Sequence, residues 1–280
     1  MVNRRILVTG SSGFIGQHLV HRLQKIGFDL IEWDKDIKQI QTFNTSVDSV
    51  IHLAGITQFN NQSNILKGYE INVGGTLAVL NYCRQKGASC IFASTSAVYG
   101  DYKSLRVVKE SDTINPISHY GISKSLAEMA CKNFVEDYDM SCQILRLFNV
   151  YGQGQKKPFL IPDIIDSMTN EEKLIIRTPN VVRDFIHVSD VVDVFIRCLQ
   201  TNLEQLQLLN VGTGFGTQIS EIVAIIKSYS SNSLSIEKTE ELDHGPACGI
   251  IADTQHTRAI LNWVNTTSIR AGLESLVKGY

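Results

Sequence analysis

Short apolar runs alternate with segments of helical period along the first half of the chain. Ile6-Leu-Val8 is β-branched and apolar and reads as a buried strand. It leads through a glycine-rich stretch into apolar positions at Phe14, Ile15, Leu19, Val20, Leu23 and Ile26, a helix stopped by Gly27. Residues 28–33 predict a second strand that ends on Asp34, and residues 49–53 a third that ends at Ala54-Gly55. Helical periodicity over 69–86 ends at Gly87; residues 90–93 then read as a strand, 123–138 as a helix and 142–147 as a strand. Strands alternating with helices predict a parallel sheet with helices on both faces, a doubly wound α/β fold.

After Tyr151 the pattern is less regular. A polar loop over 152–158 precedes a helix near 161–168, a strand at 174–176, a helix over 188–200 and a strand at 208–211. A helix over 220–229, a strand near 235–237 and a helix over 254–261 follow. No linker or internal repeat divides the chain. The expected division is residues 1–150 carrying the sheet and 151–280 forming mainly a smaller α/β lobe, with segments near 181–212 returning to the sheet.

Composition narrows the class. In 280 residues, 43% are hydrophobic and 19% charged, the balance of a soluble globular protein. A net charge of −2 gives no general attraction to nucleic acid or to an anionic membrane. No apolar run reaches the roughly 18 residues of a membrane span, and the N-terminus does not read as a signal peptide. The six cysteines, at 83, 90, 131, 142, 198 and 248, form no C-x-x-C pair and read as reduced thiols of a cytoplasmic protein. His18 and His21 fit the solvated face of a helix, so no metal site is expected.

Candidate chemistry begins at Gly10-x-x-Gly13-x-x-Gly16, between a strand and a helix. Glycine lets the backbone approach a pyrophosphate, and the helix N-terminus supplies free N–H groups and a positive dipole end. Asp34 closes the next strand, where a carboxylate accepts from an adenosine ribose diol and repels a 2′-phosphate. That favours NAD over NADP, although the neighbouring Lys35 offsets part of the repulsion. Tyr120 and Lys124, at i and i+4, share a helix face. A cation near the phenol lowers its pKa from about 10 and makes it a base near neutral pH. The same spacing also occurs in helices with no such role.

Seven ordered motifs give the pair its context: Thr9-Gly-Ser-Ser-Gly-Phe-Ile-Gly16, His52-Leu-Ala-Gly55, Asn72-Val-Gly-Gly-Thr76, Ser94-Thr-Ser-Ala-Val-Tyr-Gly100, Tyr120-Gly-Ile-Ser-Lys124, Arg146-Leu-Phe-Asn-Val-Tyr-Gly152 and Arg183-Asp-Phe-Ile-His-Val188. On these the chain resembles the extended short-chain dehydrogenase/reductases, the NAD-dependent nucleotide-sugar epimerase/dehydratase family. The resemblance implies a Rossmann domain for NAD and a C-terminal substrate-binding lobe for a nucleotide diphosphate sugar. It implies Thr95, Tyr120 and Lys124 as the catalytic set, with Tyr120 as acid/base and Lys124 on the nicotinamide ribose. Cofactor contacts are expected from Gly10, Ser12, Gly13, Phe14, Ile15, Gly16, Asp34, Leu53, Ala54, Gly55 and Asn72. For Asn72, structural support is an equal alternative. Substrate contacts are expected from Ser94, Thr95, Ser96, Asn149 and Arg183, the last on the diphosphate. An ion pair of Arg183 with Asp184 or Asp190 is its plain alternative, and a role in the turn is that of Ser94. His187 reads as a packed residue.

The resemblance leaves the reaction open between related outcomes. Relatives that dehydrate carry Asp-Glu after the threonine; here Ser96-Ala97 stand there. The leading expectation is an NAD-dependent epimerase similar to UDP-glucose 4-epimerase. The alternatives are an NAD(P)H-dependent reductase of a nucleotide 4-keto-6-deoxysugar and a non-catalytic NAD-binding regulator. Residues 34–50 leave little room for a β-α unit, and residues 241–247 hold no arginine for the diphosphate, a lack for which Arg177 is a candidate remedy. A homodimer through helices 69–86 and 123–138, in a four-helix interface, is the expected assembly.

Overall fold

The apolar runs of the first half build a single parallel sheet. In the computed structural model, residues 4–57, 62–100, 102–170, 174–176, 178–201, 203, 205–229, 236–238 and 248–279 are described. β1 (Arg5–Thr9), α1 (Phe14–Ile26), β2 (Asp29–Trp33) and β3 (Ser49–His52) come first. Gly27, with φ +91°, closes α1 in the left-handed conformation that glycine adopts without strain. α2 (Gln62–Tyr69) runs through a π-helical turn (Glu70–Gly74) into α3 (Gly75–Lys86), so the expected helix over 69–86 is longer and has a widened turn. β4 (Ser89–Thr95), β5 (Leu105–Val108), α4 (His119–Tyr138), β6 (Cys142–Leu147) and β7 (Asn149–Tyr151) follow.

The second half holds α5 (Leu160–Thr169), β8 (Leu174–Ile176), β9 (Val181–Arg183), β10 (Phe185–His187) and α6 (Val188–Gln200). β11 (Leu206–Val211), β12 (Thr217–Gln218), α7 (Ile219–Ser228), β13 (Ile236–Lys238), β14 (Cys248–Ala252), α8 (Gln255–Leu261) and α9 (Ile269–Lys278) complete it. Residues 241–247 and Arg177, weighed above as phosphate contacts, lie outside the described residues.

The main sheet has six parallel strands in the order β2-β1-β3-β4-β6-β11. Apolar residues of α1 and α6 cover one face and those of α3 and α4 the other. This is the Rossmann arrangement, and its strand order reverses between β1 and β3, where the loops that follow both strands open a crevice. The short stretch after β2 is filled by a 3₁₀ turn (Ile37–Thr42) rather than a helix. Ile37 and Ile40 of that turn are buried, and a Cβ at Gly75 would lie 2.6 Å from Ile37 Cγ2, so the turn presses on α3 in the helix's place.

The smaller C-terminal lobe packs α5, α7 and α9 around its own apolar core. Its sheet runs β12-β9-β14-β5, beside the pairs β10-β7 and β13-β8. Two corrections to the expected division follow. Within 181–212 only β11 rejoins the main sheet, since β9 and β10 pair elsewhere. β5, from the first half, pairs with β14 in the lobe's sheet instead. Both lobes therefore hold the chain between β4 and α4, which carries the central part of the site.

Candidate active site

The loop after β1 is built around contacts too close for side chains. Gly10 has φ +70°, and a Cβ there would meet Ala54 N at 2.7 Å, on the loop after β3. At Gly16, in the first turn of α1, a Cβ would sit 2.2 Å from Gly10 O. The two loops thus touch at the strand-order reversal, and α1 begins directly against the turn. Asp34 accepts from Ser11 Oγ (2.8 Å) and from Ser12 N (3.2 Å), both on Oδ1. The Ser11 bond, outweighing burial, holds its carboxyl below the usual range. Asp34 itself is exposed, just beyond the end of β2.

A cavity of about 730 Å³ runs from this loop to the start of α4. Gly10, Gly13, Phe14, Ile15, Gly16, Leu53 and Gly55 line one end. Ser94, Thr95, Ser96, Tyr120, Asn149 and Arg183 line the rest, with Lys124 between the two groups beside Gly55. Ser12, Asp34, Ala54 and Asn72 are not on its wall. Glycine backbone open to close approach at one end and a polar pocket at the other fit an extended dinucleotide with a second ligand beside it.

The reacting end is positioned by the N-terminus of α4. Ser118 caps the helix by accepting from Gly121 N at 3.0 Å. A Cβ at Gly121 would lie 2.6 Å from Ala97 O, so only glycine lets the first turn of α4 rest on the turn after β4. That contact brings Tyr120 to Thr95, whose side chain hydrogen-bonds the phenol. Thr95 Oγ1 in turn accepts from Ala97 N at 3.2 Å. Lys124 is 4% exposed; its Nζ donates to Ala93 O at 2.8 Å and lies 4.6 Å from the Phe92 ring centre. A Cβ at Gly55 would approach Lys124 Nζ to 3.4 Å, which sets the amine beside the cofactor end of the cavity.

One sequence-based expectation changes, and two residues take their structural alternative. Burial pushes Tyr120 up to about 12, against the lowering by Thr95, so the protein alone does not give the depressed phenol expected from Lys124. The ammonium is turned to Ala93 O, and burial lowers Lys124 itself to about 8. Ser94, for which a structural role is the alternative to a substrate contact, lines the cavity and donates its hydroxyl to Glu128 Oε1 at 2.5 Å. Asn72, for which structural support is the equal alternative to a cofactor contact, makes its hydrogen bonds within the protein: Oδ1 accepts from Ile56 N (2.7 Å), and Nδ2 donates to Ile56 O and Ser123 Oγ (both 2.9 Å). It pins the loop after β3 to α4. The π-helical turn carries it there, and Thr76 Oγ1 donates to its carbonyl at 2.6 Å.

Arg183 lines the cavity at the end of β9. Neither carboxylate proposed as its plain partner is open to it. Asp184 accepts from Thr213 N and Oγ1, Gly214 N and Ala252 N. Asp190 accepts from Thr266 N and Oγ1 and from Thr267 N. His187 packs on Tyr151, with ring centres 5.3 Å apart, and caps α6.

Sequence reading missed the group behind the site. Glu128 and Arg146 form a buried ion pair, with Nη2 to Oε2 at 2.7 Å. Arg146 Nη1 also donates to Tyr99 Oη at 2.9 Å, and Tyr99 donates to Asn210 Oδ1 at 2.7 Å. Two signals pointed there: an arginine inside a mostly apolar strand, and a glutamate one turn beyond Lys124.

Comparison with known proteins agrees with this geometry. The model of the NAD dependent epimerase/dehydratase family matches residues 6–212. A GDP-6-deoxy-D-talose 4-dehydrogenase of Aggregatibacter actinomycetemcomitans is 30% identical over 98% of this chain and 97% of its own length. A putative UDP-glucose 4-epimerase of Methanocaldococcus jannaschii is 34% identical over 79% of this chain and 81% of its own. The structure of MoeE5 in complex with UDP-glucuronic acid and NAD superposes with a TM-score of 0.89 at 28% identity, covering 98% of both chains.

Proposed function

Since the chain belongs to the NAD dependent epimerase/dehydratase family, we propose that it is an NAD-dependent epimerase of a nucleotide diphosphate sugar. The observation that carries this is the cavity in which the glycine cradle faces Thr95, Tyr120 and Lys124. NAD bound there would supply a hydride acceptor that returns the hydride within the same turnover. Tyr120 takes the proton of the sugar hydroxyl and later gives it back. Thr95 hydrogen-bonds the same hydroxyl, and Lys124 holds the cofactor ribose beside Gly55. Arg183 suits the diphosphate, because its planar fork donates twice to phosphate oxygens. Removal of water needs a further acid, and among the described residues no carboxylate lines the cavity. That supports a redox-neutral reaction or a simple reduction over a dehydration.

Reduction of a nucleotide 4-keto-6-deoxysugar is the second reading, favoured by a relative named dTDP-4-dehydro-6-deoxyglucose reductase, from Escherichia coli, at 27% identity. Assay of UDP-, dTDP-, GDP- and CDP-sugars with and without NAD(P)H separates the two. Interconversion without net change in NADH supports epimerisation; stoichiometric oxidation of NAD(P)H with a keto sugar sinks it.

Asp34 is expected to select NAD. Asp34→Ser removes the charge that repels a 2′-phosphate and should raise the NADP-to-NAD affinity ratio about tenfold, or ~1.4 kcal/mol. Titration of both cofactors into the variant checks this, and an unchanged ratio rejects the role.

We further propose that two copies pair through α3 and α4. Leu77, Leu126 and Met129 stand 41%, 41% and 57% exposed on these adjacent helices. Light scattering is expected to give a dimer mass, and Met129→Glu a monomer. A monomeric wild-type protein overturns the pairing.

A further inference from the structure

The proposed chemistry gives no role to Gln155, a polar side chain on the wall of the cavity that is only 7% exposed. The turn that carries it is firmly placed. Gln155 N donates to Gly152 O at 3.2 Å. The third position of this turn holds Gly154 at φ +84°, a conformation that favours glycine. A Cβ at Gly152 would lie 2.5 Å from Val188 Cγ1, so the turn rests on the start of α6. His18 Nε2 of α1 donates to Gln153 O at 2.7 Å. The turn is thereby held to α1 and α6, which cover the face of the main sheet opposite α4.

The side-chain amide is oriented as well. Nε2 donates to Val150 O at 2.9 Å, and because a carbonyl only accepts, that bond fixes which end of the amide is nitrogen. Oε1 is the end left over. Among the described residues no donor reaches it, and it is not sealed in the interior. The little surface that Gln155 keeps opens on the cavity. An acceptor so enclosed, and turned to a cavity, needs a donor from whatever fills that space.

The strand order indicates which part of a dinucleotide comes there. Asp34, suited to the adenosine ribose, follows the edge strand β2, and the glycine loop follows β1. From these the molecule extends over β3 to the ends of β4 and β6. Thr95 ends β4, and Val150 lies three residues beyond the end of β6. Tyr120, Thr95 and Lys124 approach this half from the side of α4, where Lys124 holds the ribose in the proposed reading. Gln155 approaches it from the side of α1. What the nicotinamide half still offers there is the NH2 of its carboxamide, a donor matched to an amide oxygen. We propose that Gln155 Oε1 accepts a hydrogen bond from the carboxamide of bound NAD and so positions the nicotinamide ring opposite Tyr120. The proposal rests on NAD as the cofactor of this cavity. With the ribose held on one side and the carboxamide on the other, the ring cannot rotate about its bond to the ribose. One face is then kept toward the sugar.

The test is calorimetric titration of the full chain with NAD, with its 3-acetylpyridine analogue and with ADP-ribose. The analogue carries a methyl group in place of the NH2, and ADP-ribose lacks the ring altogether. No turnover is needed, so the outcome stands apart from whichever reaction the site runs. The wild-type protein is expected to prefer NAD over the analogue by about tenfold, the effect of one hydrogen bond lost with its acceptor left unmet. In Gln155→Leu, and in Gln155→Met, which keeps the length of the side chain, the preference should shrink to about twofold or less. Affinity for ADP-ribose should stay as in the wild type. Equal binding of both dinucleotides by the wild type overturns the proposal, as does a preference that the variants retain. Weaker binding of all three ligands with the preference intact marks a general shift of the turn and overturns it too. A wild-type protein that binds neither NAD nor ADP-ribose sinks the cofactor reading itself and this proposal with it, a result distinct from the others.

Discussion

Tyr120→Phe is expected to lower kcat by about 10²- to 10⁴-fold while leaving the fold and cofactor affinity close to wild type. The substitution removes one oxygen and keeps the ring that packs at the start of α4. It gives up the hydrogen bond with Thr95, worth about 1 kcal/mol. The loss therefore falls on proton transfer rather than on structure. The pH profile carries the same argument. Turnover needs Tyr120 able to lose its proton and Lys124 still holding its own. In the protein alone the order is adverse, with Lys124 lowered to about 8 by burial and Tyr120 raised to about 12. A positive charge brought beside the phenol by the cofactor lowers Tyr120 and restores the order. The value of kcat/KM should thus rise with pH through the lowered Tyr120 pKa. It should fall as Lys124 deprotonates above about 8. Stopped assays across pH 5–10 on both forms check this (roughly the range over which such groups titrate). Turnover of Tyr120→Phe within about tenfold of wild type sinks the assigned base.

Much of this site was legible in the sequence because local rules produce it. A strand, a glycine turn and a helix in that order dictate a crevice at the β1 and β3 ends, and Gly10, Gly13, Phe14, Ile15 and Gly16 line the cavity there, while Ser12 does not. The i, i+4 pair needed only a helix, and α4 supplies it. The partners of Asn72 and Ser94 were not legible, because they depend on contacts distant in sequence. The partners of Asn72 lie 16 residues back, at Ile56, and 51 residues on, at Ser123. Ser94 finds Glu128 across the gap between β4 and α4. Seen alone, each is a polar residue near the end of a motif, and its free energy is set by what a buried amide or hydroxyl must find. The π-helical turn that aims Asn72 leaves no periodic signature, since one widened turn shifts the register without changing the apolar pattern. β5 failed for a related reason. Three of its four residues are exposed, and its place is decided by pairing with β14 about 140 residues later.

Gly16→Val is expected to weaken NAD binding more than about a hundredfold, or ~2.7 kcal/mol, and to destabilise the fold by about 3 kcal/mol. The added Cβ would stand 2.2 Å from Gly10 O and 2.7 Å from Ser11 O. Both obstacles are backbone, so no side chain can swing aside. Either α1 tilts away from the turn or the turn opens, and each moves the helix N-terminus from the place where it meets a pyrophosphate. β-branching adds crowding in the first helical turn. Gly13 makes the comparison quantitative, because its added Cβ would meet only Gly10 O, at 3.1 Å. A shift of a few tenths of an ångström accommodates that contact, so Gly13→Ala should lose far less stability while still narrowing the approach to the loop. Calorimetric titration with NAD and urea denaturation of both variants separate packing from binding. A Gly16→Val protein that folds and binds NAD within about tenfold of wild type would show that the cofactor does not use this cradle. Equal losses of stability at both glycines would show that the close approach to Gly10 O is not what requires the missing side chain.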